Sequence, residues 1–113
     1  MDKKVVNFKE VALTLKQPFT RSILADVDNY RAYLSRFEGT YVYHKHPKDE
    51  LYMVLEGEIF IDFPDGTSVQ LKEGDIWVAK AHQVHRSRSE KGSLVLMFKA
   101  KGLPSEIINR EEL

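Results

Sequence analysis

The sequence predicts an all-β domain, built as a sandwich or a closed barrel. Three observations carry this. Apolar residues come in short runs with period-two alternation, the mark of half-buried strands. Gly, Asp and Pro punctuate the runs at short intervals, where turns need their special backbone geometry. Helical periodicity is scarce along the 113 residues, and many short strands at such spacing build sandwiches or barrels.

Residues 11–15 (VALTL) read as a first strand. Residues 21–25 and 30–37 follow, separated by the polar turn Asp26-Val27-Asp28-Asn29. Gly39 punctuates. Residues 40–46 form the next strand, and Pro47 stops it by removing a backbone donor. Residues 50–55 and 58–63 flank a turn at Glu56-Gly57 and are expected to pair as a hairpin. Pro64-Asp65-Gly66-Thr67 is a turn in which proline presets one dihedral and glycine tolerates positive φ. Residues 68–71 and 76–79 are short strands around the turn Lys72-Glu73-Gly74-Asp75. Residues 85–89 and 94–100 are the last two strands. The charged tail, 104–113, is expected as a short helix or a frayed end. One domain, 1–113, covers the chain, with no internal repeat or linker.

Composition excludes several classes. Lys+Arg and Asp+Glu balance at 17 each, so no net charge points to nucleic acid or a membrane surface. Cysteine is absent, which rules out disulfides and thiolate metal sites. No run approaches the roughly 18 apolar residues of a membrane span, and the first residues lack a signal-peptide pattern. A cytoplasmic protein is the expectation.

All four histidines lie between positions 44 and 85. Strand side chains alternate faces, so Val42, His44 and His46 should share one face. Two imidazoles on one face can converge on a point. Glu50 shares the alternation of Tyr52 and Val54 after the Pro47 turn, and His85, from a later strand, can complete the set. Neutral imidazole is the commonest protein metal ligand. Three imidazoles and a carboxylate suit one divalent ion of Zn, Mn, Fe, Ni or Cu, and four protein ligands on an octahedral ion leave positions open.

Around these residues runs a longer pattern. Gly39, His44-Lys45-His46, Glu50 and Gly57 resemble the first cupin motif. Gly74, Lys80-Ala81-His82 and His85 resemble the second, with Lys80, His82 and Ser89 standing where the family usually has proline, glycine and asparagine. The resemblance implies a double-stranded β-helix (a jelly-roll, or cupin, barrel) with His44, His46, Glu50 and His85 as inward-facing metal ligands. The short chain is similar to stand-alone cupins described as mannose-6-phosphate-isomerase-like. The family resemblance also implies N-terminal strands that pair with a second subunit, hence a homodimer.

Other residues carry weaker signals. His82 is a candidate general acid or base, weighed against a turn residue at positive φ. Tyr52 is the candidate cavity-lining hydroxyl. Lys80 can hold an anion at the cavity mouth or simply be solvated. Arg86 and Arg88 should point away from His85. Met97 or Phe98 should line the apolar part of the pocket. The expected function is that of a metal-dependent enzyme on a small molecule, of oxygenase or isomerase and epimerase type. A non-catalytic ligand-binding or sensor cupin and a metal-braced structural dimer are the alternatives.

Overall fold

The computed structural model describes residues 3–109 and Glu111. Its elements run α1 (Phe8–Ala12), β1 (Arg21–Val27), β2 (Tyr30–Thr40), β3 (His44–Lys45), β4 (Glu50–Glu56), β5 (Glu58–Asp62), β6 (Ser68–Lys72), β7 (Ile76–Ala79), β8 (Arg86–Ala100) and β9 (Glu106–Ile107). The all-β prediction holds. Among the described residues no helix is long and apolar enough to cross a membrane.

The N-terminus differs from expectation. Residues 8–12 form a helix, and the predicted strand over 11–15 does not exist. Asn7 explains it: its side chain accepts from the Lys9 N–H and caps the first turn, satisfying a donor that a new helix leaves orphaned. The five-residue run was too short for alternation alone to settle.

β8 organises the rest. It is a single strand of 15 residues, where two strands, 85–89 and 94–100, were expected. One edge pairs with β2 along its length, from Tyr30↔Ala100 to Thr40↔Arg88, with a register shift between Phe37 and Gly39. The other edge is shared: Arg86 to Arg88 pair with β5, and the Leu94 to Lys99 segment pairs with β4. β4 also pairs with β7, and β5 with β6.

β4 and β5 therefore do not form the expected hairpin. Both pair with β8 instead, at successive stretches, and the Glu56-Gly57 turn is a corner between them. Gly57 has φ +81°, and a Cβ there would lie 2.8 Å from the Gly92 carbonyl oxygen. The corner is closed by backbone passing over backbone, which only glycine permits.

Strand alternation turns one face of each strand inward. Phe37, Tyr52, Val54, Ile59, Ile61 and Val95 belong to one buried cluster. Each such side chain contributes roughly 1.5–3 kcal/mol when fully buried. The tail also departs from expectation. Its described part is extended, and Glu106–Ile107 pairs with His44–Lys45, with Ile108 N–H donating to the Tyr43 carbonyl at 2.8 Å. A helix this short is marginal on its own, and β3 offers the segment a strand edge. Of the predicted helix's end, Arg110, Glu112 and Leu113 lie outside the described residues.

Candidate metal centre

His44 and His85 face each other across an antiparallel bridge. Each backbone N–H donates to the other's carbonyl, at 2.9 and 3.0 Å. Directly opposed residues present their side chains to the same face, which sets the two rings 4.3 Å apart between centroids. His46 follows two residues on, and Glu50 opens β4 between Ala79 of β7 and Lys99 of β8. All four side chains are buried. One ligand atom from each lies within 4.8 Å of every other. The face prediction fails at Val42, which is exposed: residues 41–43 lie between strands and do not hold the alternation.

The tautomers are set by the backbone. His44 Nδ1 lies 3.0 Å from the Val42 carbonyl, His46 Nδ1 3.0 Å from that of Pro104, and His85 Nδ1 2.9 Å from that of Gln83. A carbonyl only accepts, so each Nδ1 carries a proton and, in the neutral ring, Nε2 holds the lone pair. Such outer contacts orient metal-ligating imidazoles.

His46 Nε2 and Glu50 Oε1 approach to 3.1 Å, yet without hydrogen-bond geometry, and neither buried atom has a hydrogen-bond partner among the described residues. A buried ring nitrogen and a buried carboxylate oxygen this close need a shared proton or a metal ion between them. The donor set, three imidazole nitrogens and a carboxylate oxygen, fits a divalent metal ion.

Electrostatics keeps the donors in ligand form. Burial, aided by neighbouring His85, pushes His44 down to about 4. Burial also lowers His85. For Glu50, burial opposes ionisation, but His46 and Lys99 outweigh it and hold the carboxyl down to about 2. Two imidazoles are thus neutral and the carboxylate is charged at neutral pH.

His44, His46 and Glu50 form part of the wall of a cavity of about 560 Å³, which Tyr52 also lines, while His85 is fully buried. The Tyr52 hydroxyl lies 3.2 Å from His85 Nε2. Burial and the Glu50 charge raise its pKa well above 10, so the phenol keeps its proton. Met97 lines the cavity, while Phe98 stacks on Tyr30 at 5.6 Å.

The remaining candidates fall elsewhere. His82 is exposed, at φ +66°, and its backbone N–H donates to the His46 carbonyl at 2.7 Å. Its ring is not part of the cavity lining. Lys80 is exposed beside Asp49, 3.5 Å away. Arg86 and Arg88 point away from His85, as alternation predicts, and converge on Asp62 at 3.0 and 2.9 Å.

Sequence reasoning missed Lys99. It is buried in the cavity wall with Nζ 3.3 Å from Glu50 Oε2. The signal was available: Val95, Met97 and Lys99 share one face of an apolar strand, so a lysine falls on the inward side. Missed too was the tail, whose Pro104 carbonyl fixes the His46 ring and whose Leu103 and Ser105 reach the cavity.

Known proteins share this fold. The family profile described as "Cupin domain" matches residues 37–98. An uncharacterized protein, YdbB of Bacillus subtilis (strain 168), is 33% identical over 109 residues, 96% of each chain. The crystal structure of a cupin-2 domain containing protein from Shewanella frigidimarina NCIMB 400 superposes with a TM-score of 0.82 at 24% identity, covering 86% of this chain and 95% of that one. Hydroquinone 1,2-dioxygenase PnpCD, in complex with Cd²⁺ and 4-hydroxybenzonitrile, superposes at 0.73 with 21% identity, covering 85% and 72%. The long β8 shared by two strand sets, the inward His, His, Glu and His, and matches running over nearly the whole chain lead to one assignment: this chain belongs to the cupin family and folds as its all-β barrel.

Proposed function

We propose that this cupin is a metal-dependent enzyme acting on a small molecule, with His44, His46, Glu50 and His85 holding one divalent ion. A single observation carries the reading. Three imidazoles with Nε2 inward meet a carboxylate oxygen that has no hydrogen-bond partner among the described residues, and His44, His46 and Glu50 of this cluster line a cavity rather than a sealed core. A site that only braced the barrel would be closed on all sides. Zinc, manganese, iron, nickel or copper suits the donors. The ion, when bound, supplies Lewis acidity toward a substrate oxygen, or a site for dioxygen if redox-active.

The chain's own residues supply the rest. Tyr52 offers a protonated hydroxyl at the cavity wall; its proton faces His85 Nε2 and would turn to a bound molecule when that nitrogen is ligating. Phe37 and Met97 give the substrate an apolar wall and keep water out. The sugar-phosphate variant of the reading has less support. The three cations near the second motif, Lys80, Arg86 and Arg88, are engaged by Asp49 and Asp62 outside the cavity, which leaves no phosphate clamp among them.

Metal analysis of protein purified without chelators should give one ion per chain. His44→Ala and His85→Ala should each reduce that to a trace. Oxygen consumption with candidate phenols, diketones or thiols then tests an iron or copper form, and isomerase assays a zinc or manganese form. No bound ion, with no rise in melting temperature on adding any of the five, would sink the proposal.

A further inference from the structure

We infer that the cavity is built for a small organic carboxylate, whose charged end is held by Lys99 with Arg21 at the mouth. The inference deepens the proposed function and rests on it for the role of the four-residue cluster.

Lys99 is only 7% exposed. A buried ammonium is costly unless it is paired. Its one ion pair among the described residues is with Glu50 Oε2, at 3.3 Å. It also lies 5.4 Å from the centre of the Tyr33 ring, a cation–π distance. The other Glu50 oxygen faces His46 Nε2. Glu50 therefore serves two positive partners whenever the cluster holds a cation, and one carboxylate cannot neutralise both.

The lining offers no second carboxylate. Glu50 is its only acidic residue, against Lys99 and Arg21. Arg21 stacks on the same Tyr33 ring, its guanidinium carbon 4.4 Å from the centre. One aromatic ring thus positions two cations at one side of the cavity. Both leave charge that an anion from outside would satisfy. The opposite character comes from Phe19, Phe37, Met97 and Leu103, which suit a hydrocarbon or aromatic body. The volume of about 560 Å³ is that of a site for a metabolite-sized molecule.

A carboxylate fits better than a phosphate. Phosphate sites gather several cations or a cradle of backbone N–H groups at glycines. Here one buried ammonium does the work, and no lining residue is glycine. Lys99 is then a specificity-determining residue, one that selects for charge at the ligand's head.

The test is isothermal titration of zinc-loaded protein with three carboxylates (benzoate, 3-phenylpropionate and hexanoate), their amides, and phenyl phosphate. At least one carboxylate should bind about tenfold or more tightly than its amide, and more tightly than phenyl phosphate, as expected for a buried charge contact. Lys99→Met should remove that preference while zinc stoichiometry stays at one per chain. Should Lys99→Met fail to fold, Arg21→Met, at an exposed position, should reduce the preference about threefold, as expected for a contact nearer solvent. Equal binding of every acid and amide, no carboxylate binding at millimolar concentration, tighter binding of phenyl phosphate, or a preference that survives these substitutions would each overturn the inference. Failure of wild-type protein to take up zinc would instead count against the proposed function. Lys99 is short of a partner only when the cluster holds a cation, so the titration is then repeated on protein loaded with manganese or nickel, and a chain that takes up no ion at all overturns the inference as well.

Discussion

His44 carries the clearest consequence at the scale of one residue. Burial holds its folded pKa at about 4, against an ordinary value of 6.5. The folded state therefore resists a proton that the unfolded chain accepts. The stability this represents is fully present above pH 6.5 and is lost as pH falls toward 4. Glu50, held at about 2 against 4.5, extends the loss from pH 4.5 downward. For His44 alone the change is on the order of 3 kcal/mol. Chelator-treated protein should thus show a melting temperature that declines steadily below pH 6.5. A flat profile between pH 6.5 and 4 would contradict the buried neutral imidazole. His44→Gln, which cannot take up the proton, should flatten the upper part of that decline. The cluster was legible in the sequence because His44, His46 and Glu50 sit close together with a turn between them. Lys99 was not, because its partner Glu50 is 49 positions away and only the strand register brings them opposite each other.

At the scale of elements, turn chemistry was readable and pairing was not. The sequence marks a tight turn at Glu56-Gly57, and the turn is there. A hairpin was expected because turns of that length usually join paired strands. What decided otherwise was β8, a strand long enough to offer β4 and β5 separate stretches of the same edge. Gly57→Ala tests the corner. It places a Cβ 2.8 Å from the Gly92 oxygen at φ +81°, where positive φ alone costs roughly 1–2 kcal/mol and the contact adds to it. Gly66→Ala, at φ +88° with nothing within 4 Å, should lose only the first part. Urea midpoints should rank Gly57→Ala clearly below Gly66→Ala; equal losses would mean the corner is not closed by that contact. The tail makes a second element-scale prediction. It was expected as a short helix or a frayed end, whereas in the fold it pairs with β3 and gives His46 its carbonyl partner. Ending the chain after Gly102 should weaken metal affinity about 10–100-fold, as loss of an outer hydrogen bond does, while circular dichroism still shows the strands. Unchanged affinity would show that Pro104 does not orient His46.

The whole molecule presents an edge that one chain does not cover. β1 is the outer strand next to β2, and β8 lies beyond. Ile23 and Val27 on β1 are 51% and 54% exposed, and Tyr30, the first residue of β2, is 50% exposed. An edge strand with exposed apolar side chains is a template for another strand. Charge guards it only in part: Asp26 is already paired with Arg31 at 2.6 Å. We propose that two copies meet through β1 in a two-fold symmetric dimer, where the same patch serves both partners. Light scattering during size-exclusion chromatography should give twice the 13.1 kDa chain mass at micromolar concentration. Ile23→Lys with Val27→Lys should give the single-chain mass and keep the strand content. These positions face solvent in the single chain, so their substitution should cost the fold within about 0.5 kcal/mol. Arg21 begins the same strand and reaches the cavity mouth. A dimer through β1 would hold that strand still, so the monomeric variant should also bind carboxylates less tightly. A wild-type protein that stays a single chain at high micromolar concentration would remove the dimer and this coupling together.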